Sequence, residues 1–245
     1  MTNWLSPIST PANGWVSAAK TWAPQNWLQT FEVLDLGVGE MQWPILDLAE
    51  QHRAKVLVHL LKLNEPDRYL RFGYMAHDEQ IAQYVGKIDF RCDVMSGIFN
   101  EERELIALSH LALPPTARSE PLSSSRGAGP ALATGEWGGS VLAPWRARGL
   151  GKRLFRHACV IARNANVHRL TIQALTENAS MIHIVKSHGA TLVRMGSETE
   201  ATVLLPHKDF MSQWAQWVSS CYGQAFYASS AQAQRFWHKV GDAKR

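Results

Sequence analysis

The stretch from Val141 to Leu154 constrains the fold of this chain more than any other part of it. It reads VLAPWRARGLGKRL, in which a strand-like run ends at a proline-containing turn, a basic loop with two glycines follows, and an amphipathic helix begins. Glycine removes the side chain that would keep an anion away from the backbone. A helix N-terminus offers N–H groups that have no partner inside the helix. The sequence therefore predicts a strand, a diphosphate-binding loop and a helix in direct succession.

Composition narrows the class of protein. The 245 residues are 46% hydrophobic and 19% charged, as is usual for a soluble globular protein with a full core. The net charge of +4 suits an anionic ligand but is too small and too dispersed to indicate nucleic-acid binding. No apolar run approaches the ~20 residues of a membrane span. The three cysteines are far apart and form no Cys-x-x-Cys pair, so we expect a cytoplasmic protein that does not act at a membrane.

We divide the chain into three parts. Residues 1–28 mix Pro, Ser, Asn and Gly with isolated tryptophans and predict a loosely ordered N-terminal arm. Residues 29–206 form the main domain, in which the Pro-, Ser-, Gly- and Ala-rich residues 114–135 predict a mobile loop. Residues 207–245 carry many aromatic side chains and predict a helical extension. We expect this extension to pack on the domain, with a homodimer contact or a substrate cover as the alternatives.

Hydrophobic periodicity predicts the elements of the main domain. It indicates helices over 44–63, 78–88, 149–166 and 178–189. Strands are expected over 30–36, 94–99, 105–113, 137–143, 168–176, 191–195 and 199–205. The segment from Asn64 to Asp67 is expected to break the first helix.

Two segments resemble the GNAT superfamily of N-acetyltransferases. The pattern Arg146-x-x-Gly149-x-Gly151, between a strand and a helix, is similar to the acyl-CoA pyrophosphate loop of that superfamily. Downstream, Asn178 opens a helix that ends at Gly189, similar to the later superfamily segment that ends in Gly-Phe. The resemblance covers roughly residues 136–206. It implies an α/β GNAT fold, with a central mixed, mostly antiparallel sheet flanked by helices.

The resemblance also implies an activity and a set of ligand-binding residues. The expected activity is transfer of an acyl group from acetyl-CoA, the co-substrate, to an amine by direct attack in a ternary complex. The backbone N–H groups of Val141 and Leu142 are expected to bind the pantetheine and to stabilise the oxyanion. The remaining expected cofactor-binding residues are Arg146, Arg148, Gly149, Leu150, Gly151, Lys152 and Asn178.

Proton transfer is less well defined by the sequence. An alkylamine with a pKa near ~10.4 is mostly ammonium at neutral pH and must lose a proton before it attacks. Glu136 occupies the position of the base in some histone-acetylating members, whereas other members use a chain of waters. Val185 stands where many members carry the tyrosine that protonates the leaving thiolate, so the general acid is unassigned. We expect no metal site, because the ten histidines never pair with carboxylates or cysteines at ligand spacing.

The segment from Asp67 to Phe72, DRYLRF, resembles a stretch that forms one wall of the acceptor pocket in some bacterial members. Arg68 or Arg71 would then meet an acidic group of the acceptor, or would form a surface ion pair with Asp67 or Glu65. The identity of the acceptor does not follow from the sequence.

Two rival functions stay open at this point. A non-catalytic acyl-CoA-binding or regulatory module would explain the missing tyrosine. A nucleotide-binding βαβ domain is disfavoured, because no third glycine follows Gly151 at the expected place and the preceding chain predicts a hairpin.

Overall fold

The computed structural model describes residues 43–114 and 133–206, together with single helical positions between 213 and 228. The elements are β1 (Ile45–Leu48), α1 (Arg53–Leu61), α2 (Glu65–Phe72), α3 (Asp78–Lys87), β2 (Asp93–Phe99), β3 (Leu105–Ala112), β4 (Thr134–Val141), α4 (Leu150–Asn164), β5 (Arg169–Leu175), α5 (Ala179–Lys186), β6 (Thr191–Met195) and β7 (Glu198–Leu204). Short 3-10 helices precede α1 and α4.

The seven strands form one sheet in the order β1-β2-β3-β4-β5-β7-β6. All neighbouring strands are antiparallel except β4 and β5. The parallel pairing of β4 with β5 covers only residues 134–136, whereas β4 continues beside β3 as far as Val141. A gap therefore opens between β4 and β5 beyond Glu136. This gap is the feature of the fold that positions the site.

Two apolar layers cover the two faces of the sheet. On one face α4 buries Leu154, Phe155 and Ala158 on a single helical stripe. On the other face α1, α2 and α3 pack on the residues of β2 and β3 that point toward them. Burial on both sides explains why the central strands read as continuous apolar runs rather than as an alternation of apolar and polar residues.

The architecture agrees with the predicted mixed, mostly antiparallel sheet, but the helix expected over 44–63 is wrong at its start. Residues Ile45–Leu48 form strand β1, and helix α1 begins only at Arg53. Leu46 and Leu48 are buried against the helices, while Asp47 faces α4 and bonds His157. The four residues of β1 are too short a run for a period of two to stand out from the helical spacing of the residues that follow. The strand expected over 30–36 lies outside the described residues.

The segment after α1 is a helix rather than a simple break. The Asn64 side chain accepts the Asp67 N–H at 2.9 Å and caps α2, and Pro66 fits its first turn. Helix α2 ends at Gly73, whose φ of 79° is left-handed. Three helices therefore separate β1 from β2, where the sequence predicts two.

The end of the expected mobile loop also needs correction, because β4 already begins at Thr134. Residues 115–132 of that loop, the N-terminal arm and most of the C-terminal extension lie outside the described residues. Within the described part, no helix is both long and apolar enough to cross a bilayer.

Candidate functional site

A cleft of about 490 Å³ lies where β4 separates from β5. Its walls come from α2, from β4, from the loop after β4 and from the first turns of α4 and α5. The cleft brings together seven of the ten residues predicted for the site: Val141, Arg146, Gly149, Leu150, Gly151, Lys152 and Asn178. Glu136, Leu142 and Arg148 do not line it.

The loop before α4 presents backbone N–H groups to this cleft. Ala147 and Gly149 have left-handed φ angles of 59° and 73°, and Gly149 is the N-cap of α4. The first bond of the helix runs from the Arg153 N–H to the Gly149 carbonyl at 3.0 Å. The N–H groups of the residues between them therefore have no acceptor inside the helix. Such a left-handed turn at a helix N-terminus forms an anion-binding concavity.

The two glycines of the loop serve different purposes. A Cβ on Gly149 would meet nothing within 4 Å, so packing does not require glycine there. Glycine is favoured because it adopts the left-handed φ without strain, and it leaves the space beside the loop open. A Cβ on Gly151 would lie 3.0 Å from Cδ1 of Ile184. Gly151 therefore allows the first turn of α4 to approach α5 closely.

The backbone of β4 corrects the prediction for Leu142. Its N–H donates to the Ile106 carbonyl of β3 at 3.0 Å and is not available to a ligand. In an antiparallel ladder the residues alternate, so Gly139 and Val141 direct their N–H groups away from β3, into the gap. Of the predicted pair Val141 and Leu142, only Val141 therefore has its N–H in the gap.

The basic residues of the loop differ in their surroundings. Arg146 forms an ion pair with the buried carboxylate of Asp67 on α2, and its Nε donates to the Val141 carbonyl at 3.2 Å. Arg148 lies outside the cleft, with its guanidinium 4.9 Å from the ring centre of Trp145. Lys152 is exposed at the rim of the cleft. Arg146 thus links α2 to β4, and Lys152 contributes an exposed positive charge.

Asn178 caps α5 as the sequence predicts. Its Oδ1 accepts the Met181 N–H at 3.1 Å, and its Nδ2 donates to the Leu70 carbonyl at 3.4 Å. The side chain therefore joins α5 to α2 across the cleft. Val185, at the position of the expected tyrosine, is 1% exposed and belongs to the core. His183 is exposed and lines the cleft.

Glu136 lies at the last position where β4 pairs with β5, and its side chain is exposed. It shares one face of β4 with Gly138 and Ser140. Four residues of extended chain separate it from Ser140, about 13 Å. Glu136 can therefore act on groups near the end of β4 only through intervening waters.

A hydrogen-bonded pair that the sequence does not indicate lies beside the cleft. The ring of His59 on α1 bonds the Leu105 carbonyl through Nδ1 at 2.7 Å and Ser140 Oγ through Nε2 at 2.8 Å. A carbonyl only accepts, so Nδ1 carries the proton and Nε2 accepts from the Ser140 hydroxyl. Burial lowers the pKa of His59 to about 4, and the ring is neutral. Ser140 lines the cleft. The two residues are 81 positions apart, so only the fold reveals the pair.

The two arginines of α2 have separate roles. Arg68 donates to the carbonyls of Leu61, Leu63 and Ala76 and forms an ion pair with Asp78 at 2.7 Å. It therefore closes the end of α1 and does not face the cleft. Arg71 does line the cleft, and its Nη2 donates to the Tyr84 hydroxyl at 3.0 Å.

Comparison with solved structures identifies this architecture. The GNAT domain of S. lividans PAT matches with a TM-score of 0.52 at 17% identity, over 66% of this chain and 89% of that one. An Acinetobacter baylyi ADP1 protein, described as a candidate acetyltransferase, matches with a TM-score of 0.50 at 17% identity, over 68% of this chain and 98% of that one. No protein-family model and no curated protein matches the sequence. The chain has the GNAT fold, as the loop and the Asn178 segment predict.

Proposed function

We propose that this protein transfers an acetyl or closely related acyl group from acetyl-CoA to an amine, by direct attack in a ternary complex. One observation carries the proposal: the N–H groups at the start of α4 open into a cleft that continues along the unpaired edge of β4. A diphosphate fits the first feature, and an extended amide-containing chain fits the second.

The residues of the cleft suit the parts of such a thioester. The N–H groups of Leu150, Gly151 and Lys152 would bind the diphosphate, with positive charge from Lys152 and, at the loop surface, Arg148. The N–H groups of Gly139 and Val141 would bind the pantetheine amides and stabilise the oxyanion. Asn178 would contribute through its position at the cleft wall, since its side chain is already engaged.

Direct attack agrees with the state of the cysteine nearest to the loop. Cys159 lies on α4, and burial raises the pKa of its thiol to about 12. A thiol of this kind is not a nucleophile at neutral pH. The proposed direct attack needs no acyl intermediate on this cysteine.

Two groups are proposed to take the proton of the amine. Glu136 is the base that the family resemblance implies, acting through water. Ser140 is the hydroxyl inside the cleft: its Oγ takes a proton from the attacking nitrogen as its own proton passes to Nε2 of His59. Because the pKa of His59 is about 4, the ring holds this proton only transiently and returns it through Ser140 to the leaving thiolate. The second path is the shorter one.

Binding is tested by titrating the protein with acetyl-CoA in a calorimeter. In Gly149→Glu the new carboxylate lies where the diphosphate is proposed to bind, and like charges in contact cost several kcal/mol. We expect a loss of affinity of about 100-fold or more. Gly196→Glu is the matched control, because Gly196 also has a left-handed φ, of 65°, with nothing within 4 Å of its Cβ. Equal affinity in the two variants would contradict the proposed diphosphate site.

Catalysis is tested by measuring the release of free CoA thiol with a panel of amines. Release that depends on the amine supports acyl transfer. Binding of acetyl-CoA without release, across amino acids, polyamines and peptides, would instead favour the non-catalytic acyl-CoA-binding module.

A further inference from the structure

The α2 wall of the cleft carries a cation without an acidic partner. Arg71 lies with its guanidinium over Gly138 of β4, where a Cβ would come within 3.2 Å of it. Its Nε is buried and has no hydrogen-bond partner. Within the described residues, no carboxylate, including that of Glu136, forms an ion pair with this guanidinium. The other two arginines beside it on this side, Arg68 and Arg146, are each paired with an aspartate.

The position of this guanidinium is fixed by a chain of polar side chains. Arg71 Nη2 donates to the Tyr84 oxygen at 3.0 Å, and the Tyr84 hydroxyl and Nδ1 of His110 share a hydrogen bond of 2.6 Å. His110 Nε2 in turn lies 3.5 Å from Oδ1 of Asp93. The ring of Tyr84 also lies beneath the guanidinium, with its centre 5.6 Å away. Such anchoring holds the charge at one place in the cleft, as a binding site for an anion requires.

An unpaired charge in a partly buried site is costly unless a ligand of opposite charge neutralises it. The terminal nitrogens of the guanidinium keep N–H donors beyond the bond to Tyr84, and a planar guanidinium at the cleft wall suits a carboxylate as a charge-assisted hydrogen-bond partner. The surrounding cleft wall includes the apolar side chains of Leu70 and Trp137. Charge-assisted hydrogen bonds in such surroundings are stronger than in water.

We propose that Arg71 binds a carboxylate of the acceptor, and that the acceptor is an α-amino acid. This inference rests on the proposed acyl transfer, which places the acyl carbon near Ser140 and Val141. Gly138, beneath the guanidinium, and Ser140 are two residues apart on β4, about 7 Å. A paired guanidinium and carboxylate place their carbon atoms roughly 4 Å apart. The nitrogen of an α-amino acid lies about 2.5 Å beyond its carboxylate carbon. The sum of about 6.5 Å is close to the spacing of Gly138 and Ser140 along β4.

The test compares amino acids with their amides as acceptors, in pairs such as glycine with glycinamide and leucine with leucinamide. Release of CoA thiol gives kcat/KM for each. In the unmodified protein we expect the carboxylate member to be favoured about 10- to 100-fold, the effect of one charge-assisted pair. Arg71→Gln should remove this preference, mainly through a higher KM for the amino acid, and should lower kcat/KM for the amides much less than for the acids. Arg71→Lys should keep part of it.

Two controls accompany these variants. Arg91→Gln removes an exposed arginine away from the cleft and should retain the full preference. Arg71→Gln should still unfold in a single cooperative transition and should keep the affinity for acetyl-CoA, which shows that the fold and the cofactor site are intact. Equal kcat/KM for acids and amides in the unmodified protein would overturn the inference while leaving acyl transfer established.

A second measurement does not depend on catalysis. Calorimetric titration of the CoA-saturated protein with N-acetylglycine and with N-acetylglycinamide probes the anion site directly. Stronger binding of the acid, lost in Arg71→Gln, supports the carboxylate site even if no acceptor releases CoA. Equal binding of the two compounds refutes it.

Discussion

Single side chains of the site fall into two groups. Some are held by two or more contacts within the protein, and others are held by one and line the cleft. Asn178 and Arg146 are each held by two contacts and form part of the framework of the cleft. Ser140 and Arg71 combine one anchoring contact with a place in the cleft wall. Groups of this second kind are held in position by the protein and still line the space that a ligand would occupy. The proposed proton transfer and acceptor binding therefore rest on Ser140 and Arg71.

The first prediction at this scale separates the two proton paths. Ser140→Ala removes the hydroxyl between the amine and Nε2 of His59, and kcat should fall about 100-fold, the lower end of the effect of a general base. Glu136→Gln should lower kcat by less than about threefold, since this exposed side chain lies outside the cleft. The affinity for acetyl-CoA should stay unchanged in both variants. The reverse order of effects would assign the proton to Glu136 and a packing role to Ser140.

At the scale of elements, the sequence predicts best where a single face is buried or a turn is clearly marked. Helices α3 and α4 and the β2–β3 hairpin follow from one apolar stripe or one polar turn, and they lie where predicted. Strand β1 is not predicted, because Ile45–Leu48 is too short a run to show a period of two and lies just ahead of a helix. Helix α2 was missed because Asn64 and Pro66 can equally stop one helix or start the next. Local sequence does not distinguish these outcomes, and tertiary contacts decide them.

The same distinction applies to the site. The loop from Arg146 to Gly151 is predictable, because one continuous segment supplies both the turn and the helix N-terminus. The error at Leu142 has a simple cause: the sequence gives the strand but not the register that decides which N–H groups face β3. The pair His59 and Ser140 depends on the packing of α1 against β4, which no local pattern encodes.

A prediction at the element scale concerns the junction of α1, α2 and α3. Arg68 satisfies the carbonyls of Leu61 and Leu63 at the end of α1 and pairs with Asp78 at the start of α3. Arg68→Gln should therefore lower the free energy of unfolding by about 3 kcal/mol, since buried acceptors lose their donors. Denaturant unfolding measures the change.

The control for Arg68 is a surface ion pair on the same region. Lys62, whose side chain is 51% exposed, pairs with Glu104, and Lys62→Gln should cost less than about 1 kcal/mol. Affinity for acetyl-CoA should be normal in Arg68→Gln under folding conditions. A loss of stability no larger than that of Lys62→Gln would show that Arg68 does not hold the three helices together.

At the scale of the whole molecule, ligand binding and folding stability involve the same contacts. The cleft is lined by α2, β4, α4 and α5, which belong to both apolar layers of the sheet. A ligand that bridges them stabilises the folded state by mass action, by about 2.7 kcal/mol at a concentration 100 times Kd. Histidines that are buried or half-buried also change the free energy of unfolding of the whole domain, because their pKa values differ between the folded and the unfolded chain. Burial is the main cause that lowers the pKa of His52, His59, His110 and His188.

These lowered pKa values predict a protein that loses stability in mild acid. Above pH 6.5 the His59 ring is neutral in both the folded and the unfolded chain, so its titration has no effect there. Between pH 6.5 and about 4 the unfolded chain binds a proton that the folded chain excludes. The free energy of unfolding must therefore fall as the pH falls through this range. For His59 alone the loss approaches about 3 kcal/mol, since one pKa unit corresponds to about 1.4 kcal/mol.

Denaturant unfolding at a series of pH values between 7 and 4 measures this dependence, and His59→Gln isolates the contribution of one ring. Glutamine can accept the Ser140 hydroxyl but does not titrate, so the variant should be less stable than the unmodified protein at pH 7 and should lose less stability on acidification. The difference between the two proteins should therefore shrink by about 3 kcal/mol from pH 7 to pH 4. Parallel curves would mean that His59 is not the buried neutral ring on which the Ser140 proton path depends.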